Sequence, residues 1–366
     1  VLSETSALPN AMPGVMVKVP KWLLDPEGPL YIRFGYLPKL LPWLLRFLKA
    51  GTASESENTV RSLLALNAGT VEKYQTLVNG SQVRSLIRPS GYLNVYQNES
   101  SFKHASRGWE LLRRHGAQLR MLSREELHEL EPTLSPSYSR AVLIENQGYT
   151  TNPFRLAQVL SEQFSQNGGI ILRREVREVR LSAEGNVRLN LDLGYVESKK
   201  LVVAAGAWSH RFTAQLGVSI PLETERGYHV TIAHPEVLPS HVIMEAERKF
   251  VATPMEIGLR FAGTAELAGL EAPPNYERAE ILLRLGKRMF PGISGTEKTE
   301  WMGHRPSLPD SRPVIGKCPD APNILFAFGH GHRGLIGAPM TGEIITDLIA
   351  NRPPKIDITP FRPERF

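Results

Sequence analysis

The sequence predicts a mixed α/β (α+β) protein built from two domains. Its 366 residues are long enough for two domains of ordinary size. Near the end of the chain, the apolar run from Ile324 to Phe328 predicts a buried strand, a glycine-rich turn follows, and Met340 to Ile349 predicts a helix. Residues 187–193 instead alternate apolar and polar side chains, which is typical of a half-exposed antiparallel strand. Both patterns in one chain favour a strand-and-helix layer joined to an antiparallel sheet.

The composition of the chain is that of an ordinary globular protein, and it argues against several kinds of partner and site. The chain is 42% hydrophobic and 22% charged, which is ordinary for a globular protein, and its formal charge is +6. No cluster of five or more basic residues occurs, so a nucleic-acid partner is not expected. Cys318 is the only cysteine, which excludes an internal disulfide and fits a reducing, cytoplasmic compartment. The ten histidines show no metal-ligand spacing, and no metal is expected.

The first third of the chain is predicted to be mainly helical. Residues 1–14 are polar and contain proline, which is typical of a loop. The segment from Leu37 to Lys49 is a short, basic, amphipathic stretch that either packs on its own domain or lies on a bilayer surface. Four more elements are predicted: a helix over 57–79 closed by Gly80, a strand over 91–96, a helix over 101–115, and a short helix with a capping box at Ser123.

The middle of the chain alternates helix and strand. Asn152-Pro153 predicts the start of a helix that ends before 167–169, and strands are predicted at 170–172, at 176–179, and after a turn at 184–186. The apolar run from Leu201 to Gly206 predicts a strand buried on both faces. Because Ala204, Ala205 and Gly206 are small, a flat or bulky group can lie against the backbone there.

The third quarter of the chain is predicted to form another sheet. Residues 225–232 form a strand, 250–254 and 258–264 form a hairpin, and 273–290 form a helix. Tyr228 and His229 point to opposite faces of a regular strand, so at most one of them faces a ligand. We prefer Tyr228.

A family resemblance rests on the stretch from Trp301 to Gly334. Its matching blocks are Arg305-Pro306, Asp310-Ser311, the run 313–316, the run 329–332 and Gly334. They resemble the C-terminal signature of the FAD-dependent D-amino-acid oxidase and dehydrogenase superfamily, most closely its bacterial D-amino-acid dehydrogenase branch. The resemblance implies a Rossmann-like FAD/NAD(P)-binding domain (1–15, 140–218 and 300–366) interleaved with an antiparallel-sheet substrate domain (16–139 and 219–299).

The resemblance also implies roles for individual residues. Arg305 would face the flavin and bind the substrate carboxylate, Arg226 is a second candidate for that carboxylate, and Tyr228 would face the substrate. The loop and helix start at 329–335 would lie against the flavin ring, and the helix dipole would stabilise negative charge on the reduced ring. The residues of that loop are Gly329, His330, Gly331, His332, Arg333, Gly334 and Leu335. His332 is also counted as a catalytic candidate, without an assigned proton transfer.

Other FAD contacts are implied outside the C-terminal stretch. Thr5, Ser6 and Asn10 would approach the flavin, and Val176 would hold the adenine through its backbone. Ala204, Ala205 and Gly206 would flank the cofactor, beside Trp208, which is either a flavin neighbour or part of the core. Relatives tend to carry a hydroxyl residue at the position of Ile336, and small residues at those of Pro9 and Met12. No Gly-x-Gly-x-x-Gly unit is found in the chain, so we expect it to be truncated at its N-terminus or completed by a separately supplied piece.

The implied reaction is hydride transfer from the Cα of a D-amino acid to flavin N5, giving an imino acid that water hydrolyses to a 2-oxo acid and ammonia. Two alternatives stay open: an oxidase of glycine or N-methylated amino acids, and a non-catalytic chain that needs a partner to bind FAD. The electron acceptor stays open among a respiratory quinone, an electron-transfer protein and oxygen, and dehydrogenase relatives often deliver electrons to the respiratory chain. The segment from Leu37 to Lys49 would then make peripheral contact with the inner membrane.

Overall fold

The computed structural model describes residues 1–78, 85–182, 185–295 and 297–366. Its mixed α/β architecture, with sheets flanked by helices, confirms the predicted fold class. The helices are α1 (Val15–Leu24), α2 (Leu37–Ala50), α3 (Ala53–Asn67), α4 (Thr70–Leu77), α5 (Glu99–Arg114), α6 (Arg124–Leu130), α7 (Pro153–Gln166), α8 (Ser209–Gln215), α9 (Glu277–Met289) and α10 (Gly334–Ile349). Short 3-10 helices cover Phe34–Tyr36, Gly206–Trp208, Gly331–Arg333, Thr359–Phe361 and Pro363–Arg365.

The strands fall into three sheets. They are β1 (Leu30–Ile32), β2 (Ile87–Tyr96), β3 (Leu119–Leu122), β4 (Arg140–Thr150), β5 (Val176–Leu181), β6 (Val187–Leu191), β7 (Tyr195–Ser198), β8 (Leu201–Val203), β9 (Glu223–Ile232), β10 (Val242–Glu245), β11 (Phe250–Met255), β12 (Gly258–Leu267), β13 (Lys298–Ser307), β14 (Val314–Cys318) and β15 (Ala321–Phe328). Within the described ranges, the large sheet has the order β13-β9-β12-β11-β10-β2-β4-β3, with β1 added beside β12.

The two faces of the large sheet have different neighbours. One face packs on α9 through a core that includes Tyr228, Val230 and Phe261. The opposite face, at β2 and β4, packs on α3, α5 and α10. Side chains alternate between the faces along each strand, so His229 lies on the face opposite to Tyr228. The register of β9 with β13 places Trp301 opposite His229 and Arg305 opposite Glu225, so these four residues share one face.

The remaining strands form two small sheets. β8 lies parallel to β15, with Val203 beside Phe326, and β14 pairs antiparallel with β15. β5, β6 and β7 form a meander. Parallel strands end at the same edge of a sheet, so the segment after β8 and the glycine loop after β15 emerge side by side. Ligands of α/β sheets commonly bind at such an edge.

Three predicted elements differ from the observed ones. The helix predicted over 57–79 is two helices, α3 and α4, because the chain breaks at Ala68 and Gly69, where Gly69 has φ 67°. Residues 170–172 form no strand, and all three side chains are exposed. The strand predicted over 201–206 ends at Val203, and Ala204 is exposed, so this run is not buried on both faces.

Most of the remaining predicted elements are confirmed. Ser123 forms the capping box of α6 with Glu126, and Asn152 caps α7 by accepting from the Arg155 N–H at 3.0 Å. The predicted hairpin is β11 and β12, which pair antiparallel, and the helix predicted over 273–290 is α9. Three residues of the predictions lie outside the described residues: Asn79 and Gly80 at the end of the helix predicted over 57–79, and Glu184 in the turn predicted at 184–186.

The division into two domains stays a prediction. Strands β4 and β13 both pair within the large sheet. A division made by sheet would therefore place 140–150 and 300–307 with the substrate domain rather than with the FAD-binding domain. None of the helices in the described ranges combines the length and the apolar character needed to cross a bilayer.

Candidate active site

The glycine loop after β15 lies at the centre of the candidate site. Gly329 and Gly331 have φ of 85° and 59°, in the left-handed region that favours glycine. A Cβ at Gly329 would lie 2.5 Å from the Cδ1 of Leu308, so no larger residue fits there. A Cβ at Gly331 would meet only the Ser307 hydroxyl, at 3.6 Å. Space therefore remains beside the backbone of Gly331, just before the N-terminus of α10.

Arg333 joins the N-terminal loop to the glycine loop. Its Nε donates to the carbonyl of Ser6 at 2.6 Å, and its Nη2 donates to the carbonyl of Leu8 at 2.5 Å. Burial lowers the pKa of Arg333 to about 10, against the opposing effect of the Glu225 charge, so the guanidinium stays charged at neutral pH.

Three more hydrogen bonds fix the N-terminal loop. Asn67 Nδ2 donates to the carbonyls of Glu4 and Ser6 at 3.3 and 3.4 Å, and the Asn10 N–H donates to Ser311 Oγ at 3.0 Å. Thr5 lies between the anchored residues 4 and 6. The predicted residue Ser6 is thereby held at the glycine loop, 327 positions along the chain, with Thr5 next to it. Asn10 is held at Ser311, 301 positions along the chain.

Arg305 lies on β13, on the sheet face that it shares with His229. Its Nη1 donates to the carbonyl of Thr264 at 2.7 Å, and its Nη2 donates to the carbonyl of Gly263 at 3.2 Å. The guanidinium crosses β9 directly over Gly227, where a Cβ would lie 2.1 Å from Nη2. Burial lowers the pKa of Arg305, and the Glu225 charge opposes this shift. Three of its five N–H groups have no bond to the described residues.

The histidines of the site are neutral at pH 7. Burial lowers the pKa of His330 to about 4, and its Nε2 lies 2.9 Å from Thr341 Oγ1. The Arg333 charge, followed by burial and the Arg305 charge, holds the pKa of His332 well below its usual range. His229 stacks on Trp301 with 5.2 Å between ring centroids, and burial lowers its pKa to about 4. The positive charge of the site is therefore carried by the arginines.

Arg226 is not free to bind a substrate carboxylate, contrary to the prediction. Its side chain is fully buried, and its three nitrogens donate to the backbone carbonyls of Gly269, Ala272 and Pro273. Its Nη1 also lies 3.7 Å from the Glu266 carboxylate. The sequence alone does not show this, because these acceptors are backbone groups brought in by the loop before α9.

Tyr228 does not face the candidate site, so the preference for it over His229 is wrong. It is 1% exposed in the core beside α9. Its hydroxyl donates to Glu266 and accepts from the Asn275 N–H, the latter at 2.9 Å. His229 occupies the opposite face, which is the face of Arg305.

The segment after β8 holds the other predicted FAD contacts. Trp208 is 42% exposed and meets His304 edge to face at 5.3 Å, so it is not a core residue. Gly206 has φ 55°, and Ala205 is half-buried. Val176 begins β5 and is half-buried. Among the described residues, no group of three His, Cys, Asp or Glu side chains is arranged to hold a metal ion.

Sequence reasoning missed several residues that shape the site. Gly227 provides the flat surface under Arg305, Thr264 accepts from it, and Glu225 opposes it in the register. The spacing between Gly227 and His229 was a usable signal, since both share one face of β9. The partnership with β13 was not visible, because about 70 residues separate the two strands.

Comparison with known proteins shows the family of this chain. The model of the FAD-dependent oxidoreductase (DAO) family matches residues 34–348. The chain belongs to the FAD-dependent oxidoreductase family. It is 39% identical over 370 residues to a D-amino-acid oxidase of Bradyrhizobium diazoefficiens, covering 100% of this chain and 88% of that protein. It is 32% identical over 384 residues to a D-amino acid dehydrogenase of Paramagnetospirillum magneticum, with the same two coverages.

A solved structure shares the fold of this FAD-dependent oxidoreductase. Glycine oxidase from Geobacillus kaustophilus superposes with a TM-score of 0.76 at 21% identity, covering 84% of this chain and 83% of that one. Membership of the family makes the chain an enzyme with FAD as its cofactor.

The site is suited to FAD. The Gly331 backbone is open, the 3%-exposed Ser307 hydroxyl beside it has no partner among the described residues, and the buried Arg333 and half-buried Arg305 supply positive charge. The individual contacts to FAD and substrate stay predictions.

Proposed function

We propose that this FAD-dependent oxidoreductase oxidises D-amino acids to 2-oxo acids and ammonia. The observation that carries the proposal is Arg305, a largely desolvated guanidinium with three N–H groups left for a ligand. A planar guanidinium matches a carboxylate with two parallel bonds, which are strong where water is excluded. The names of the two relatives, a D-amino-acid oxidase and a D-amino acid dehydrogenase, support the D configuration.

The residues divide the work between cofactor and substrate. Bound FAD supplies the hydride acceptor for the substrate Cα. We assign FAD contacts to the residues around the glycine loop and the two segments beside it: Thr5, Ser6, Asn10, Val176, Ala204, Ala205, Gly206, Trp208 and 329–335. Arg305 holds the substrate carboxylate, which fixes the Cα–H direction. Positioning of this kind can account for much of the barrier lowering in hydride transfer.

The charges of the site favour an amino acid zwitterion, because the histidines are neutral and Arg305 supplies the positive charge for the carboxylate. His229, His330 and His332 all have lowered pKa values and carry no charge at pH 7. A neutral imidazole does not compete with Arg305 for the carboxylate, and it does not repel the substrate ammonium. Arg305 is therefore the cation that selects an amino acid over an amine.

The test is the visible spectrum of the FAD-loaded protein under anaerobic conditions. We expect the flavin band to bleach with some members of a D-amino-acid panel and not with their L-enantiomers. Arg305→Ala should keep its flavin but bleach about a hundredfold more slowly, because it loses a charge-assisted pair with the substrate in a desolvated site. Arg284→Ala, which removes an exposed ion-pairing arginine, is the matched control. Equal bleaching by both variants would contradict the role of Arg305.

The same experiment separates the alternative substrates. Glycine and sarcosine belong in the panel, and oxygen uptake is followed after reduction. Bleaching by these two alone, with rapid reoxidation by oxygen, would replace the D-amino-acid assignment with an oxidase of glycine or N-methylated amino acids. Slow reoxidation by oxygen and fast reoxidation by a quinone analogue would support a quinone as electron acceptor.

We also propose peripheral contact with a membrane through α2. Successive residues of a helix are about 100° apart, so Leu37, Leu41, Leu45 and Leu48 share one face. All four are exposed, Leu45 by 59%, whereas Leu40 and Trp43 on another face are buried. Lys49 is exposed beside the leucines, Lys39 and Arg46 are exposed farther round the helix, and α2 has no acidic residue. An exposed apolar stripe on a helix with basic and no acidic side chains suits an anionic bilayer surface.

Sedimentation with lipid vesicles tests this contact. We expect binding to phosphatidylserine-containing vesicles, weaker binding to phosphatidylcholine vesicles, and loss of binding in the variant Leu41→Ser/Leu45→Ser. Phe164→Ser, an exposed apolar residue on α7, is the control and should bind normally. Equal binding of both variants would reject α2 as the contact. A change of oligomeric state in the double variant would instead assign the stripe to a second copy of the chain.

A further inference from the structure

Thr264 has an unusual backbone conformation beside Arg305. Its φ is 56°, in the left-handed region that a β-branched residue rarely adopts. The pairing of β12 with β9 passes from Gly263–Tyr228 to Glu266–Arg226, so β12 contains one extra residue and forms a bulge. Strain of this kind persists only where the surrounding structure enforces it, and it is common at functional sites.

The bulge turns the backbone of β12 towards Arg305. The carbonyls of Gly263 and Thr264 accept from Nη2 and Nη1 respectively. In a regular strand, successive carbonyls point in opposite directions, so one guanidinium could not bond to both. The bulge therefore sets the rotation of the guanidinium, and Gly227 beneath it fixes its plane.

The side chain of Thr264 is also unsatisfied. The residue is 6% exposed, and its hydroxyl has no hydrogen-bond partner among the residues that the structure describes. A buried hydroxyl without a partner is costly, so such groups usually bind something. The Thr264 carbonyl lies 2.7 Å from Nη1, so the residue that carries this unpartnered hydroxyl is in direct contact with Arg305.

We propose that Thr264 is a positioning residue for Arg305 and that its hydroxyl donates a second, neutral hydrogen bond to the substrate carboxylate. This inference rests on the proposed function, in which Arg305 binds that carboxylate. The carboxylate would then be held by a charged fork and by a hydroxyl from a different strand. Two anchors define the orientation of the Cα substituents better than one.

A purely structural role of the bulge leads to a different expectation. The bulge also brings Ala265 to β1, where its N–H donates to the Pro29 carbonyl at 2.7 Å, and it places Glu266 under Arg226. If this were its whole purpose, the Thr264 hydroxyl would be dispensable. Replacement of the side chain would then change stability without changing affinity for carboxylates.

Three variants of the FAD-loaded enzyme separate the contributions. Thr264→Val keeps the shape and loses the hydroxyl, Thr264→Ser keeps the hydroxyl, and Thr264→Gly relieves the strained φ. Binding of a carboxylate that cannot be oxidised, such as propionate or benzoate, is followed through the flavin absorption band. Steady-state KM and kcat for a reactive D-amino acid, and the melting temperature, complete the set.

The expected pattern is specific. Thr264→Val should weaken carboxylate binding and raise KM about tenfold, because one hydrogen bond to a charged group is lost. Its kcat should stay within about twofold of the parent value. Thr264→Ser should resemble the parent enzyme. Thr264→Gly should raise the melting temperature but weaken carboxylate binding, because Arg305 is held less firmly.

Two outcomes overturn the inference: parental carboxylate binding in Thr264→Val, or weakened binding in Thr264→Val and Thr264→Ser alike. Failure of the proposed function gives a different result. No D-amino acid would then bleach the flavin of the parent enzyme, while the binding of the non-oxidisable carboxylate would still report on Thr264.

Discussion

The guanidinium of Arg305 lies against the backbone of Gly227, so closely that a Cβ at this position would be 2.1 Å from Nη2 and 2.3 Å from Cζ. Gly227 has no positive φ, so its backbone conformation does not require glycine. The close approach of Arg305 does. Glycine in the middle of a strand is otherwise unfavourable, which makes Gly227 part of the arginine site.

Gly227→Ala is therefore expected to displace Arg305. The methyl group cannot coexist with the observed guanidinium position, so the bonds to Gly263 and Thr264 should be lost. We expect carboxylate affinity, measured through the flavin absorption band, to fall at least tenfold, as for loss of a charged hydrogen bond. Gly342→Ala in α10 is the control, since a Cβ there meets nothing within 4 Å, and it should be neutral or stabilising. Unchanged affinity in Gly227→Ala would show that Arg305 does not bind the carboxylate from this position.

Arg226→Ala should destabilise the fold. The change leaves Glu266 buried beside Tyr228 and three backbone carbonyls without their donor. Removing one partner of a buried pair typically costs about 3–5 kcal/mol. The measurement is the free energy of unfolding in urea, with Arg284→Ala as an exposed-arginine control expected to change it by less than about 1 kcal/mol. A variant of normal stability that has lost only substrate affinity would restore the carboxylate-binding role.

Arg333→Ala should weaken FAD binding. Its two bonds hold the carbonyls of Ser6 and Leu8 against the glycine loop, and their loss frees the segment that carries the predicted flavin contacts. We expect the Kd for FAD, measured by quenching of flavin fluorescence, to rise about tenfold or more, as for two lost charge-assisted bonds. Arg312 pairs with Asp310 and follows Ser311, which holds Asn10, so Arg312→Ala tests whether another arginine beside the N-terminal loop has the same effect. Equal losses in the two variants would argue against a specific role for Arg333.

The stability of the protein should fall as the pH rises from about 5 to 8. Burial, and a hydrogen bond to Glu247, raise the pKa of Glu245 to about 8. The folded chain therefore holds a proton that the unfolded chain releases near the usual value of 4.5. Stability from this proton is complete below the unfolded pKa and is lost as the pH passes through the folded pKa.

Glu245→Gln should flatten this dependence. Glutamine imitates the protonated acid, so the melting temperature of the variant should change less between pH 5 and 8 than that of the parent protein. Glu197→Gln, at an exposed carboxylate, should leave the parental profile unchanged. A profile in Glu245→Gln as steep as that of the parent would assign the pH dependence to other groups.

Much of the secondary structure was predictable, because it depends on residues close in sequence. The capping box at Ser123 and the Asn152 cap are confirmed since each joins residues three positions apart. The break at Gly69 was missed, because the apolar spacing continues through it and only the φ of one residue interrupts the helix. The strand predicted at 170–172 was wrong, because an apolar run forms a strand only where a partner strand is present.

The sequence by itself determined the family and the FAD cofactor, because these depend on residue types at fixed spacing within about 30 positions. The same spacing predicted Arg305 as the residue that binds the carboxylate. The tertiary structure alone decided the roles of Arg226 and Tyr228. Both side chains are buried away from the candidate site, Arg226 on backbone carbonyls and Tyr228 in the core on the other face of β9. It also brought Gly227 and Thr264 to Arg305. Contacts with backbone carbonyls, and the space left by a missing Cβ, do not depend on a residue type that can be recognised in the sequence. They become visible only from the register of β9, β12 and β13.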